Sequence, residues 1–337
     1  MKTGVLLVNL GTPDSPSVPN VRKYLRQFLM DGRVIDIPFL SRFLLVNGII
    51  APFRAPKSSK VYKSVWTENG SPLKYYSVEL TKLVQKSLGD DFHVELGMRY
   101  QSPSIASALD KLLDKGYNKI VVLPLFPQYA SASTGSVQEE VMRLVAKKQI
   151  VPSIQFISNF FDHPMFINAF SLLAKKYLDE QKFDHILFSY HGLPERQIKK
   201  GDCTGTCLVN ENCCGTIHDM NYYCYRAQCF ESTRLIAKQL GLAEQDYSVC
   251  FQSRLGKTPW IKPYADDVIE NLPKQGKKRV LILVPSFVSD CLETIEEVGD
   301  EYKELFMYNG GEHWQMVESL NLSPAWVETV KILVSGQ

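Results

Sequence analysis

Seven short runs rich in Val, Ile and Leu punctuate the chain, at 5–10, 93–98, 119–123, 154–157, 185–190, 248–252 and 279–284. They are continuous rather than alternating, which predicts strands buried on both faces. The segments between them, such as SPSIASALDKLLDKGY, HPMFINAFSLLAKKYLDE and ESTRLIAKQLGL, repeat apolar residues every three and four positions. That is the spacing of amphipathic helices. Continuous strands separated by helices predict an α/β fold of parallel sheets covered by helices on both faces.

The pattern also repeats. YQSPSIASALDKLLDKGYNKIVVLPLFPQY runs strand end, Pro, helix, Gly, strand, Pro, and FQSRLGKTPWIKPYADDVIENLPKQGKKRVLILVPSFVSD follows the same order. Two related α/β halves account for this, with a boundary near residue 150. One apolar stretch stands outside the scheme, IPFLSRFLLVNGIIAPFRAPK at 37–57. Arg42, Asn47, Pro52 and Arg54 interrupt it, so it falls short of the roughly 20 apolar residues that span a bilayer. A buried helix is the first expectation here. An apolar lip meeting a greasy ligand or a membrane surface is the second.

Composition narrows the function without choosing it. The 337 residues carry a formal charge of +2 and no long run of Lys and Arg, which argues against a nucleic-acid partner. The N-terminus, MKTGVLLVNLGTPDSP, lacks the apolar core and cleavage site of a secretory signal, so a cytoplasmic location is expected. Disulfides are rare there, and the cysteines are expected to be reduced or metal-bound.

Ligands of parallel α/β sheets bind beyond the carboxyl ends of the strands. The stretches to inspect are therefore 9–13, 99–100, 124–129, 191–194, 254–260 and 285–293. None is followed by GxGxxG or GxxxxGK[ST], which disfavours nucleotide chemistry. His191 closes the apolar run HILFSYH, where an imidazole can face a cleft. Asp290 and Glu293 have the spacing of a capping box, reason enough for both acids. Glu293, Glu297, Asp300 and Glu301 then follow at three and four, a row of hard oxygen donors or a solvated helix face.

GVLLVNLGTPDSP, GSPL, GMRY, PLFPQYASASTGS, SYHGLPER, QSRLGKTPWIKP and PSFVSDCLETIEE occur in order along the chain, and together they resemble the ferrochelatases. The resemblance implies two Rossmann-like domains with a porphyrin cleft between them. It places an N-terminal domain at 1–150 and a C-terminal one at 151–311, with a helix at 312–337 packing back on the first. The implied activity is insertion of Fe²⁺ into protoporphyrin IX to give haem and two protons. Coproporphyrin as substrate, or another tetrapyrrole chelatase, is the alternative within the class, and a two-domain haem or metal carrier the alternative outside it.

By resemblance, His191 and Glu293 are the catalytic pair and, with Glu297, the contacts of the substrate iron. A neutral imidazole can accept a pyrrole proton or briefly hold Fe²⁺, and a carboxylate on the opposite face serves the complementary role. Leu10, Arg99, Tyr100, Tyr129 and Trp260 are expected to line the porphyrin pocket, with residues 37–56 as its lip and as a peripheral contact with the inner membrane. Some members of the family carry a histidine two residues before the glutamate, where this chain has Cys291.

The segment 199–229 holds six of the eight cysteines, spaced Cys203-x3-Cys207-x5-Cys213-Cys214-x9-Cys224-x4-Cys229. The spacing is not the paired C-x2-C of common zinc sites. Gly, Asn, Asp and Thr among them predict a loop inserted after the catalytic strand. A [2Fe–2S] cluster needs four thiolates, and Cys203, Cys207, Cys213, Cys214 and Cys224 are the candidates, since Cys229 is expected to open a helix. Zinc, and then free thiols, are the alternatives.

Overall fold

A computed structural model describes residues 2–117, 119–209, 212–256 and 258–336. Among these, eight strands form two parallel four-stranded sheets. The first contains β1 (Thr3–Gly11), β2 (Phe92–Tyr100), β3 (Lys119–Pro124) and β4 (Ser153–Phe156), in the order β2-β1-β3-β4. The second contains β5 (His185–His191), β6 (Tyr247–Gln252), β7 (Arg279–Leu283) and β8 (His313–Met316), in the order β6-β5-β7-β8. Counted from its own first strand each order is the same, so the repeat in the sequence is a repeat of topology. β8 is a strand that the hydrophobic pattern did not single out. Within 312–337 it precedes a helix confined to Pro324–Ser335.

The chain divides into two compact units. One comprises Met1–Phe126, Ala130–Asn159 and Val327–Gln337, the other Pro127–Tyr129 and Phe160–Trp326. In the first, Leu6, Val8, Ile120 and Val122 meet Ile105, Leu109 and Leu112 from the helix Ile105–Asp114 and Val137 and Val141 from Ser136–Val145. In the second, Leu187, Val280 and Ile282 meet Ile269, Val298, Phe306 and Trp314. The central strands β1 and β5 are buried along almost their whole length, which is why they read as unbroken apolar runs.

Residues Phe39–Leu44, Leu45–Ile50 and Ala51–Ser64 form one helical run whose middle section is π-helical. Pro52 and Pro56 supply no N–H, so the run cannot be a regular α-helix throughout. The expectation of a buried helix fails here. Only Val46, Ala51, Ala55 and Ser59 are buried, while Leu40 is 67% and Phe53 78% exposed, with Phe39, Phe43, Leu44 and Ile49 beside them. No helix among the described residues is long and apolar enough to cross a membrane.

Candidate active site

In the second sheet β5 lies beside β7, and the chain leaves β5 toward β6 on one side and β7 toward β8 on the other. The gap this creates is where such sheets receive ligands. Six buried residues carry β5 to His191, the first half-exposed position. The neighbouring strand β7 leads through residues 284–292 into a π-helix at Glu293–Glu301. His191 and Glu293 thus follow adjacent, parallel-paired strands of one sheet.

His191 is held through its backbone and one ring nitrogen. The Tyr225 hydroxyl donates to its carbonyl at 2.8 Å. Its Nδ1 lies 2.6 Å from the Gly192 carbonyl oxygen. A carbonyl only accepts, so Nδ1 carries a proton, and in the neutral ring the lone pair is then on Nε2. No described protein atom hydrogen-bonds Nε2, and the Phe287 ring stands 6.5 Å away. Gly192 has to be glycine. A Cβ there would sit 2.8 Å from the Gln252 carbonyl oxygen and 3.2 Å from Cε3 of Trp260. Trp260 therefore flanks the imidazole's own backbone, half-buried, with its indole N–H donated to the Leu255 carbonyl at 3.0 Å.

Gln252, fully buried at the end of β6, ties the acids to the sheet. Its Oε1 accepts from Ser189 Oγ at 2.7 Å, and its Nε2 donates to the Glu293 carbonyl at 3.3 Å and to Glu297 at 3.2 Å. Glu297 also receives Ser253 Oγ at 2.6 Å and Tyr302 OH at 3.1 Å. Burial and the Glu297 charge push the Tyr302 phenol well up, so it stays protonated and donating. The row of acids is shorter than helical spacing predicted. A π-turn closes i→i+5, which takes positions three apart off a common face. Asp300 and Glu301 are exposed, and the row ends at Glu297.

The expected capping box at Asp290 is not what forms. Asp290 accepts from the Thr294 hydroxyl at 3.2 Å, the Ser319 N–H at 3.1 Å and Asn321 Nδ2 at 2.6 Å, fastening the helix start to the loop after β8. Cys291 is buried, and burial together with the adjacent Glu293 charge pushes its thiol well up. It is a neutral thiol rather than a thiolate.

The residues expected to line a pocket fall into different environments. Leu10, at the end of β1, is half-buried against Val21, Tyr24 and Leu25. Arg99 is engaged internally. It donates to Asp31 at 2.7 Å and to Ser136 Oγ at 2.6 Å. Tyr100 is fully buried and donates its hydroxyl to Asp31 at 2.9 Å. Burial alone would raise the Asp31 pKa, but the Ser136 hydroxyl, the Arg33 amide and the Arg99 guanidinium outweigh it and hold the carboxyl below its usual value. Tyr129 is half-buried, 5.2 Å from the Tyr223 ring and bonded through its N–H to Gln228 Oε1 at 2.6 Å. Asp31 and Tyr225 carried no site signal in the sequence, and Ser136 and Gln252 were not singled out although they end and begin the motifs PLFPQYASASTGS and QSRLGKTPWIKP. Each is an ordinary polar residue whose partner is tens of residues distant.

Among the described residues no three His, Cys, Asp or Glu side chains form a group able to hold a metal. The cysteine segment is a loop as expected, with Asn210 and Glu211 outside the described residues. Its following helix starts at Tyr225, earlier than Cys229, which is buried within it. Cys207 and Cys214 both interact with Cys224, and the Cys213 and Cys214 sulfurs are 3.6 Å apart. Cys203 is exposed. Burial raises the pKa of Cys207 and Cys213, and the Cys224 sulfur, then burial, raises that of Cys214. As arranged these are thiols in contacting pairs, not four converging thiolates, and they do not fit a cluster without rearrangement.

Comparison with known proteins places this geometry in context. The family model for ferrochelatase matches residues 2–337. A ferrochelatase of Legionella pneumophila (strain Paris) is 46% identical over 337 residues, covering the whole of both chains. One from Coxiella burnetii (strain Dugway 5J108-111) is 48% identical over 329 residues, 98% of this chain and 92% of the relative. Among solved structures, SirB from Bacillus subtilis with Fe³⁺ has a TM-score of 0.55 at 13% identity, covering 100% of this chain and 98% of its own. The sirohydrochlorin chelatase SirB of Bacillus subtilis subspecies spizizenii, in complex with cobalt, has a TM-score of 0.56 at 11% identity, over 100% and 97%. At such identities the likeness is one of fold, the two-domain chelatase fold.

Proposed function

The chain belongs to the ferrochelatase family, lyases that insert ferrous iron into a porphyrin to make haem, and from that premise we propose which porphyrin it takes and which residues act on it. The substrate is protoporphyrin IX. Porphyrin and Fe²⁺ give haem and two protons, so two pyrrole N–H bonds must break as four Fe–N bonds form. His191 Nε2 takes a pyrrole proton. Glu293, with Glu297 behind it, meets the substrate iron on the other side of the macrocycle. The observation that carries this reading is the His191 ring itself, with Nδ1 committed to Gly192 and an unshared Nε2 lone pair at the carboxyl end of β5. A base must have its lone pair free and directed to the ligand site before its pKa matters.

Trp260 beside Gly192, and Tyr129, are the proposed apolar contacts of the macrocycle in this unit. Arg99 and Tyr100 are not among them, since both are spent on Asp31. The exposed apolar chains between Phe39 and Phe53 support a peripheral contact with a membrane surface. In the cysteine segment, a [2Fe–2S] centre on four of Cys203, Cys207, Cys213, Cys214 and Cys224 is supported by the number and spacing of the cysteines alone, since the sulfur contacts among the described residues do not converge on one centre.

The test is anaerobic turnover of Fe²⁺ with protoporphyrin IX and, in parallel, with coproporphyrin. Multiple turnovers with protoporphyrin are expected. Faster turnover of coproporphyrin would reassign the substrate, and stoichiometric binding without turnover would overturn the enzymatic reading.

A further inference from the structure

The first unit carries a groove that the haem-forming chemistry does not use. It has a volume of about 660 Å³ and lies along the helix Val18–Leu29, lined by Arg22, Lys23, Arg26, Gln27, Met30 and Gln101 among others. That helix buries Val21, Tyr24, Leu25 and Leu29, which turns Arg22 and Arg26, one turn apart, to the same outer stripe. Like charges at i and i+4 repel, so the pairing costs stability unless something answers it.

Nothing in the protein does so among the described residues. Arg33, Arg99, Arg143, Arg234 and Arg254 each hold a carboxylate, but neither Arg22 nor Arg26 has an ion pair. Lys23 reaches only the exposed Asp14, at 3.4 Å. Two buried atoms are also left without partners, Arg22 Nε and Gln101 Oε1. Gln101 is held at φ +69° by Gln27, whose Oε1 accepts both its N–H at 2.9 Å and its Nε2 at 2.5 Å. A buried donor and a buried acceptor without partners therefore lie in the wall of the groove, at a cost that leaves its polar groups short of neighbours.

We propose that this groove binds a phosphate group. Two guanidinium forks and an ammonium match the several oxygens and the near-double charge of a phosphate better than a single carboxylate. The phosphate has two sources. Met30 in the groove touches Asn47, at 3.7 Å, in the helical run that exposes Phe43, Leu44 and Ile49, so a phospholipid headgroup lies within reach of one arm. A soluble phosphomonoester is the other. The inference does not rest on the haem-forming assignment.

Titration calorimetry of the full chain with inorganic phosphate and glycerol phosphate, and co-sedimentation with phosphatidylcholine vesicles with and without phosphatidic acid, separate the sources. Binding of the soluble phosphates identifies a free ligand, and binding of the phosphatidic acid vesicles alone identifies a headgroup. Either supports the site provided that R22Q/R26Q weakens it by about tenfold or more. Lys23→Glu, at a side chain 64% exposed, keeps the test available should the double variant misfold, and is expected to weaken binding by repulsion. Turnover is expected to stay unchanged in both. Absence of binding in every arm, equal binding by the variants, or competition by acetate as strong as by phosphate would overturn the proposal.

Discussion

The Tyr225 hydroxyl donates a hydrogen bond of 2.8 Å to the carbonyl of His191. Tyr225 is the first residue of the helix that follows the cysteine segment, and Cys224 is its N-cap. The loop is therefore one residue removed from the backbone of the proposed base. Tyr225→Phe is expected to cost about 1 kcal/mol of stability and to lower kcat several-fold with KM little changed. Urea denaturation and steady-state kinetics of the variant check both parts. A KM effect alone would mean that Tyr225 shapes binding rather than the position of His191.

His191→Ala is expected to reduce turnover by about 10² to 10⁴, the usual contribution of a general base, with an unchanged circular dichroism spectrum. Glu293→Gln is expected to fall comparably while still binding porphyrin, because the amide keeps the shape and loses the charge offered to Fe²⁺. Porphyrin fluorescence quenching separates binding from turnover in both. Near-normal turnover of either variant would remove that residue from the mechanism.

His185 is expected to make the second unit acid-sensitive. Burial first, and then the Lys277 charge, lowers its pKa to about 4, against 6.5 unfolded. The unfolded chain thus binds the proton more readily, and stability falls as pH drops from about 6.5 toward 4. The loss is at most roughly 3 kcal/mol from a shift of this size. His185→Gln is expected to flatten that limb of a plot of unfolding free energy against pH. An unaltered slope would assign the acid sensitivity elsewhere.

Asp31→Asn leaves Arg99 without its carboxylate and deprives Tyr100 and Ser136 of a charged acceptor. A loss of about 3 kcal/mol is expected, the scale for breaking a largely buried pair. It should appear as a lower urea midpoint with an unchanged m-value. The carboxyl is held below 3.8, so the wild-type protein retains this contribution above that pH and loses it below. The variant should therefore converge on wild type in strong acid.

Purification under argon with visible spectroscopy and joint iron and sulfide assay tests the cysteine segment. Absorbance of a [2Fe–2S] centre is expected in wild type and in Cys203→Ser, because Cys203 is exposed and stands apart from the thiol pairs. It should disappear in Cys214→Ser. A colourless protein containing zinc would exclude the cluster.

The expected strands at 5–10, 119–123, 185–190 and 279–284 coincide with β1, β3, β5 and β7 to within two residues. These strands are buried on both faces, and an unbroken apolar run has no other stable place in a soluble α/β protein. β8 escaped because HWQM is an edge strand with mixed exposure, where the apolar signal is diluted. Residues 37–57 show the same limit from the other side. Their composition is that of a core helix, yet most of their large apolar side chains face outward.

His191 and Glu293 could be proposed from the sequence because the motifs around them are local, SYHG at one strand end and DCLETIEE after another. Asp31 and Tyr225 could not, because a hydrogen bond across 68 residues leaves no mark on either neighbourhood. By itself the sequence determined the α/β class, the repeated order of elements and the residue types available for chemistry, since periodicity and turn residues act over a few positions. The tertiary structure alone decided that His191 Nδ1 meets the Gly192 carbonyl, that Arg99 is spent on Asp31, that the acid row stops at Glu297 and that no carboxylate among the described residues pairs with Arg22 or Arg26. Those outcomes depend on which groups compete for the same hydrogen bonds and charges, and only the packing of distant segments brings the competitors together.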